Sequence, residues 1–392
     1  MSVGGQASHA WTDALSRLMH LVDEIHSGPY PPSEQERVEG VAHIAKQWSC
    51  WSNWELFHAD PRRPLFQRQN DLLTPWGGPS ADYVYRHARV DPARMYIFRG
   101  HMNSCDEFVI AMRAGFMHQA VWGTIAQHCA SNHGIGKGDT FEIQIGGTPS
   151  SLPHIPIPDN ATVLSFREFY FTWEENDPAV FTLECIDDDV DAPTPRLDDS
   201  VLAAHMERAI TSTEESIRFW NNYIIEKRAL APANTFASTM KVSGGLELAR
   251  YGFCFYDLAP DEALIVETDI PTARYWGFQL YETAWYDLLQ PLDRLISTNH
   301  TDTHVSSDGK VRMVISHTDP GCVNWLDAGQ RQQGLLTFRW FWATTDPSPT
   351  TKVIPVDDVW AHLPNDTPAV DARSRVEHVR QRRRQLTWRF RT

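Results

Sequence analysis

The feature that most constrains the fold is a series of strand-like segments that occurs twice in the chain. Three segments of the first half match three segments of the second half in order and approximate spacing. The matched segments are Met95–Met112, Asp139–Ile145 and Leu164–Phe169 in the first half, and Ala263–Tyr281, Asp308–Ile315 and Leu336–Phe341 in the second. A single match would carry little weight, but three in order predict two divergent copies of one module, each with its own core.

Each copy consists of short apolar runs separated by turn residues. This pattern of short, closely spaced strands is more typical of a β-sandwich or jelly roll than of a parallel α/β sheet. In the first copy the runs are Tyr83–Val90, Met95–Gly100, Glu107–Met112, Thr140–Ile145, Val163–Trp173 and Ala179–Cys185. We therefore predict a mainly β fold with helical additions, built from two related β-sandwich or jelly-roll modules.

Helices are predicted outside the two copies. Apolar residues at three- and four-residue steps indicate an amphipathic helix over 9–26, which the Gly28–Pro32 run ends. Ser33 followed by Glu36 is a capping-box pattern that begins a second helix. The same periodicity predicts a long helix over about 200–228.

The acidic segment Asp187–Asp199, which contains two prolines, is predicted to link the first module to this long helix. The organisation along the chain follows from these boundaries. We predict N-terminal helices at 1–60, a first β-sandwich at 80–186, a connecting helix at 200–230, a second β-sandwich at 245–355 and an Arg-rich C-terminal tail at 370–392.

The charge of the chain is unevenly distributed. The formal net charge is −15, which counts against nucleic-acid binding because such proteins need clustered Lys and Arg. Residues 371–392 carry eight Arg against two acidic residues, a balance of +6, so the remaining chain holds −21. We expect this tail to pair with the acidic body or with a neighbouring subunit, which allows a homo-oligomer through the tail. An anion-binding arm is the alternative.

The sequence also predicts the environment of the protein. The N-terminus lacks the features of a secretory signal, and no apolar run approaches the roughly 18 residues of a membrane span. Six scattered cysteines without a CxxC pair indicate reduced thiols. We therefore expect a cytoplasmic protein without a membrane span. Because no Walker or GxGxxG signature is present, no cofactor is expected.

Candidate catalytic residues lie in and after the turn at 317–327. His317 titrates near neutrality when unperturbed, and Asp319 could orient it or raise its pKa. Asn324 and Arg339 could hold an oxyanion or a carboxylate. The alternative is structural, because Asp–Pro–Gly is ordinary turn chemistry and Asn can cap backbone groups. Arg339, like Arg167 in the first copy, could equally form an ion pair.

Candidate substrate-binding residues come from the densest aromatic region of the chain. They are Tyr275, Trp276, Tyr281, Trp325 and Trp340. Aromatic walls with a few polar groups suit a pocket for a flat or apolar molecule. A sandwich core also uses aromatic residues, and this alternative stays open.

The second half resembles a bacterial family of unknown function, the domain usually numbered 1214, which is often paired with an N-terminal module numbered 1254. The residues that carry the resemblance are Asp261–Leu264, Ala273–Trp276, Asn299, Asp308–Gly309, Asp319–Gly321, Asn324–Asp327, Gly334 and Arg339–Trp340. Similar proteins consist of β-sandwich or jelly-roll modules with helical additions. The resemblance therefore implies a fold and no particular reaction.

The leading hypothesis is a protein that binds a hydrophobic or aromatic small molecule. If it is an enzyme, we expect cofactor-free acid/base chemistry of the hydrolase, isomerase or lyase type, with no metal. One alternative is a non-catalytic carbohydrate-binding or scaffolding protein, since exposed Trp side chains can stack on sugars. Another is a metal enzyme that uses His300, Asp302 and His304 as ligands.

Overall fold

The computed structural model describes residues 5–27, 33–174, 177–187, 191–193 and 196–390. The chain divides into two compact units. The first unit comprises Met1–Gly77, Val84–Phe169 and Ala179–Asn222, and the second comprises Gly78–Tyr83, Tyr170–Pro178 and Tyr223–Thr392. Two short segments of the first half, Gly78–Tyr83 and Tyr170–Pro178, thus belong to the second unit.

The helices follow the periodicity of the sequence. They are α1 (Gln6–Ser27), α2 (Glu34–Phe57), α3 (Asp199–Arg228), α4 (Val359–His362) and α5 (Ala372–Phe390). The capping box is confirmed at the start of α2, where Glu36 N–H donates to Ser33 Oγ and Ser33 N–H donates to the Glu36 carboxylate. The predicted helix stop at 28–32 lies outside the described residues, as do parts of the acidic linker.

The strands are short, as the turn residues between them require. They are β1 (Gln67–Arg68), β2 (Tyr83–Arg89), β3 (Met95–His101), β4 (Glu107–Arg113), β5 (Thr124–Cys129), β6 (Thr140–Gly146), β7 (His154–Ile155), β8 (Val163–Phe169), β9 (Val180–Cys185), β10 (Ala249–Asp257), β11 (Glu262–Asp269), β12 (Tyr275–Tyr281), β13 (Ser297–Asn299), β14 (Lys310–Ser316), β15 (Trp325–Asp327), β16 (Gln333–Phe341) and β17 (Thr350–Pro355).

The two units share one strand topology. The first has sheets of order β1-β2-β8-β4-β5 and β7-β6-β3-β9, and the second has β10-β16-β12-β13 and β15-β14-β11-β17. Apart from β1, every strand of the first unit has a counterpart in the second. Even the parallel pair β6–β7 recurs as β14–β15. The prediction of a mainly β fold with two related modules and helical additions is confirmed.

Aromatic side chains join the two sheets of the first unit. The Phe98 ring on β3 contacts Phe108 on β4 and Phe166 on β8, with ring centres 5.7 and 5.3 Å apart. All three rings are buried. This packing of one sheet on the other is the sandwich that the alternating strands predict.

In the second unit, β12 and β16 place apolar and polar residues on opposite faces of their sheet. Because strand residues alternate, Trp276 and Phe278 share a face with their register partners Trp340 and Phe338. The other face carries the polar set, which consists of Tyr275, Gln279, Tyr281, Thr337 and Arg339. On this polar face, Arg339 donates a hydrogen bond to the Gly78 carbonyl oxygen of the segment Gly78–Tyr83. At the edge of the sheet, Arg382 of α5 donates to the Ser297 hydroxyl on β13.

We expect Gly334→Ala to destabilise the second unit. A β-carbon at Gly334 in β16 would lie 2.0 Å from the hydroxyl oxygen of Tyr256, whose ring is fully buried. Displacing this ring should cost about 1–3 kcal/mol of unfolding free energy, measurable by urea denaturation. Gly136→Ala is the control, since its new β-carbon would have no atom closer than 3.8 Å. Equal stability of the two variants would contradict the packing argument.

Candidate functional site

The turn that follows β14 holds its polar residues in structural contacts. The His317 Nε2 atom lies 3.2 Å from the Leu258 carbonyl oxygen. The Asp319 carboxylate accepts hydrogen bonds from Arg375 Nε at 2.8 Å and from Gly321 N at 2.9 Å. The carboxylate that was predicted to orient His317 therefore pairs with the C-terminal helix.

Asn324 holds two stretches of backbone together. Its backbone has a φ of +57°, a conformation that Asn tolerates better than most residues. Its side-chain amide donates to the carbonyl oxygens of His304 and Arg312, at 2.8 and 2.9 Å, and accepts from His304 N–H at 2.9 Å. These bonds fit the structural alternative for Asn324.

Arg339 lies in the other sheet, on its polar face. Its side chain is 6% exposed, and Nη2 donates to the Gly78 carbonyl oxygen and to the Tyr281 hydroxyl, both at 2.6 Å. The guanidinium carbon is 5.8 Å from the ring centres of Tyr83, Tyr251 and Tyr281. Arg339 thus ties the segment Gly78–Tyr83 to the sheet.

The five predicted substrate-binding residues are all buried but lie in three places. Tyr275 and Tyr281 lie on the polar face with Arg339, whereas Trp276 and Trp340 lie on the apolar face. Trp325 packs in a separate cluster beside β14, and its indole N–H donates to Ser316 Oγ at 2.9 Å. The structure does not bring the five rings into one pocket.

The predicted metal ligands are not arranged around a common point. The described residues contain no group of three or more His, Cys, Asp or Glu side chains placed to hold a metal ion. The Asp302 carboxylate accepts from Asn299 N–H at 2.7 Å and pairs with Arg382. The His300 ring packs edge-on against Phe171 and Tyr275.

The arginine-rich tail forms α5 and pairs with carboxylates of its own unit. Besides the Arg375–Asp319 pair, Arg383 pairs with Asp293 at 2.7 Å. The expectation that the tail binds the acidic body is met by these pairs.

The first unit contains a second polar sheet face, around Arg167. Arg167 on β8 stacks over Tyr85 on β2, with the guanidinium carbon 4.7 Å from the ring centre. Arg167 and Tyr85 lie on β8 and β2, the strands that correspond to β16 and β10, which carry Arg339 and Tyr251. Two residues along each strand, on the same face, Ser165 Oγ lies 3.1 Å from His87 Nε2. Both of these side chains are buried.

The surroundings of His87 keep it neutral. Burial, followed by the positive charges of Arg113 and Arg167, lowers the pKa of His87 well below the ordinary value. A neutral imidazole has one donor and one acceptor nitrogen. His87 can therefore accept the hydroxyl hydrogen of Ser165. Arg113 and Arg167 are half-buried, so these two positively charged side chains are partly exposed to solvent.

An aromatic cluster adjoins the Ser165–His87 pair. The Phe116 ring centre is 5.2 Å from that of His87, and Trp76 is 5.9 Å from it. His118 stacks on Phe116 with an angle of 11° between the rings and meets Trp51 edge-on at 4.5 Å. Neither ring nitrogen of His118 has a hydrogen-bond partner within the described part of the chain. We call His87, Ser165, Arg113, Arg167 and these rings the first-unit site.

Sequence reasoning found only one member of this site. Arg167 was singled out as the counterpart of Arg339, but His87, His118 and Ser165 were not. The available signal was the repeat itself, because aligning the copies places Ser165 and Arg167 beside Thr337 and Arg339. His87 and His118 come from separate segments, which only the folded sheet brings together.

The fold defines a protein with a duplicated β-sandwich and helical additions. Residues 257–345, which include β11 to β16, match a family described as "Protein of unknown function (DUF1214)". The resemblance expected for the second half is confirmed over this range, and the pairing with a 1254-type module stays a prediction. No curated protein matches the chain by sequence.

Solved structures extend the similarity to most of the chain. An uncharacterized protein from Burkholderia cenocepacia has 22% identity and a TM-score of 0.81, covering 90% of this chain and 98% of its own. A Vibrio parahaemolyticus protein has 10% identity and a TM-score of 0.45, covering 79% and 98%. The first similarity establishes the fold alone, and the second is too weak to support a conclusion about fold or function.

Every described helix falls short of the length or the hydrophobicity that a transmembrane span needs.

We expect Asn324→Ala to lower stability by about 2–4 kcal/mol, because it removes three hydrogen bonds from a left-handed turn. Asn324→Gly also loses the bonds but accepts the positive φ, so it should be about 1 kcal/mol more stable than the Ala variant. Urea denaturation of both variants measures this order. A fully stable Asn324→Ala protein would show that the turn does not depend on this side chain.

We also expect stability to fall in acid because of His118. Burial lowers the pKa of folded His118 from 6.5 to about 3, so the unfolded chain binds more protons between these values. Stability is therefore complete above pH 6.5 and is lost as the pH falls towards 3, by at most about 1.4 kcal/mol per pH unit for this group.

The measurement is urea denaturation at several pH values, with His118→Phe as the variant. This change keeps an aromatic ring but removes one proton-binding group, so the pH dependence should become shallower. His20→Gln, at an exposed position of α1, is the control and should leave the slope unchanged. Parallel curves for wild type and His118→Phe would rule out this linkage.

Proposed function

We propose that the protein binds a small aromatic molecule with an acidic group at the first-unit site. The observation that carries the proposal is the buried Ser165–His87 pair, which lies beside the stacked Arg167 and against the Phe116 ring. This keeps the expected aromatic ligand but assigns it to a different site from the one predicted around His317.

The charges of the first-unit site favour an anionic group. His87 is neutral for the reasons given above, whereas Arg113 and Arg167 remain positive. A planar guanidinium binds a carboxylate through two parallel hydrogen bonds, and the bond is stronger away from bulk water. The neighbouring rings supply the apolar contacts for an aromatic body.

Proton transfer is the chemistry that the first-unit site supports best. Neutral His87 can accept a hydrogen bond from Ser165 or from a ligand hydroxyl, and full proton transfer to it becomes favourable when a bound anionic group offsets the charges of Arg113 and Arg167, which add to the effect of burial in lowering its pKa. This is cofactor-free acid/base chemistry, as expected from the sequence, with His87 and Ser165 in place of His317 and Asp319. The same role at His317 would require Asp319 to leave Arg375.

The carbohydrate-binding alternative has less support among the predicted tryptophans. Trp276 and Trp340 are buried, and their ring planes lie at 86° to each other. Stacking on sugar faces needs exposed rings instead.

We further propose a cytoplasmic location. All six cysteines are buried thiols and not disulfides, which suits a reducing compartment. The proposal does not extend to a homo-oligomer through the tail, because Arg375, Arg382 and Arg383 bind carboxylates of their own unit.

Calorimetric titration with benzoate and phenylacetate tests the binding proposal. We expect both to bind, and benzamide and acetate to bind at least tenfold more weakly, since each lacks either the charge or the ring. Arg167→Gln should weaken benzoate binding about tenfold or more, which corresponds to about 1.4 kcal/mol, the size of one charge-assisted hydrogen bond.

Two further variants make this result interpretable. Arg167→Lys retains the charge without the paired donors and should bind benzoate with intermediate affinity. Arg99→Gln, at an exposed ion pair on the other sheet of the unit, should bind as wild type does. The proposal is wrong if benzoate and acetate bind alike, or if a folded Arg167→Gln protein keeps its benzoate affinity.

A further inference from the structure

We propose that the protein forms a homodimer in which the helices α1 and α2 of one copy pack on the same two helices of a second copy. The surface concerned is one side of the helix pair. We call it the α1–α2 face, and none of the residues that define it is charged. They are Trp11, Leu15 and Met19 of α1 and Val38, Val41 and Ala45 of α2.

The α1 part of this face is a second apolar stripe beside a buried one. Ala14 lies in a core cluster together with residues of α3. Trp11, Leu15 and Met19 follow one another at four-residue steps on the neighbouring side of the helix. Leu15 is 47% exposed and Met19 is 69% exposed, so the described chain leaves this stripe largely open to water. An apolar stripe of this length on a helix ordinarily packs against another element.

Two contacts show how the stripes of α1 and α2 lie relative to each other. At one end of the pair, the Trp11 and Trp48 rings meet with their centres 6.0 Å apart. At the other end, Arg37 Nη1 donates to the Ile25 carbonyl oxygen at 2.9 Å. The helices are therefore antiparallel. Because Trp11 contacts α2 through its own side chain, the exposed stripe of α1 adjoins the exposed side of α2.

The α1–α2 face is complementary in shape to itself. Both helices rise 1.5 Å per residue, so Leu15 is about level with Ala45, and Met19 is about level with Ala42. Both alanines are exposed. The face is thus high along α1 and low along α2. A twofold axis parallel to the helices places α1 of each copy over α2 of the other at the same level, with large side chains on small ones.

The charges of α1 are used on its opposite side, towards α3. Arg17 pairs there with Glu214 and with Glu207, and Glu24 pairs with Arg218 at 2.7 Å. With a formal net charge of −15, two copies repel each other, and an uncharged face lets them meet without contacts between like charges. A bilayer fits this face less well, because α1 carries three acidic residues and one Arg, whereas helices that bind anionic membranes are rich in Lys and Arg.

The area of the α1–α2 face is sufficient for a dimer. Its exposed side chains present roughly 500 Å², within the range of the largest apolar patch on a typical monomer. Burying the face on both copies removes roughly 1,000 Å² from water before the polar rim is counted, and specific interfaces begin at about this size. We therefore expect a reversible dimer and not an obligate one.

Sedimentation velocity of the full chain at roughly 1–100 μM tests the dimer. We expect the wild-type protein to pass from monomer to dimer as its concentration rises. Leu15→Glu and Ala45→Lys each place a charge twice in the interface, so each should weaken the dimer at least about tenfold. Both positions are exposed, and urea denaturation should show that the variants remain folded. Val121→Glu, at a 68% exposed apolar position between β4 and β5, is the control and should dimerise as wild type does.

Mixtures of variants test which helices meet. Leu15→Glu protein mixed with Ala45→Lys protein places opposite charges together if α1 packs on α2 of the other copy. Leu15→Glu mixed with Ala45→Glu places like charges at the same two positions. We expect the first mixture to dimerise at least about tenfold more tightly than the second.

Three results would overturn the proposal. The first is a wild-type protein that stays monomeric over the whole concentration range, including one that binds phosphatidylglycerol vesicles as a monomer. The second is a dimer that persists unchanged in folded Leu15→Glu and Ala45→Lys proteins. The third is equal affinity in the two mixtures, which would contradict the packing of α1 on α2.

Discussion

The structure depends on an arginine that sits within the polar face of a sheet. A guanidinium is charged at every physiological pH and must keep its hydrogen bonds when it leaves water. In the second unit Arg339 meets this requirement with the Gly78 carbonyl and the Tyr281 hydroxyl. Further bonds follow on the same face, because Gln279 binds Ala81 and Pro79 and Tyr275 binds Asp82. Together these bonds attach the segment Gly78–Tyr83, which comes from the first sequence half, to the sheet of the second unit.

The duplicated position behaves differently in the first unit. There Arg167 stacks on Tyr85 and lies near a serine–histidine pair and an aromatic cluster. One copy of the module therefore uses its arginine to hold backbone, while in the other the arginine borders the groups to which we assign the proposed function.

Ion pairs of buried arginines also hold the C-terminal helix α5 on the second unit. Arg375 and Arg382 are buried, and each pairs with a carboxylate on a loop of the second unit. Breaking such a pair leaves an uncompensated buried charge, which costs more than an exposed pair contributes. Asp319 and Asp302 are consequently engaged by α5.

Local sequence patterns were enough to predict the repeat, the helices with their capping box, the β-rich class and the aromatic and charge distributions. These are properties of local periodicity and composition, which do not depend on distant contacts. Sequence reasoning proposed His317, Asp319, Asn324 and Arg339 as one site because they are near in the chain or in one module. The folded chain alone shows that Arg339 lies in another sheet, that His87 lies beside Ser165, and that His118 packs on the same Phe116 ring as His87. Strand pairing causes this difference, because it brings residues that are far apart in sequence onto one face and places neighbours in sequence on opposite faces.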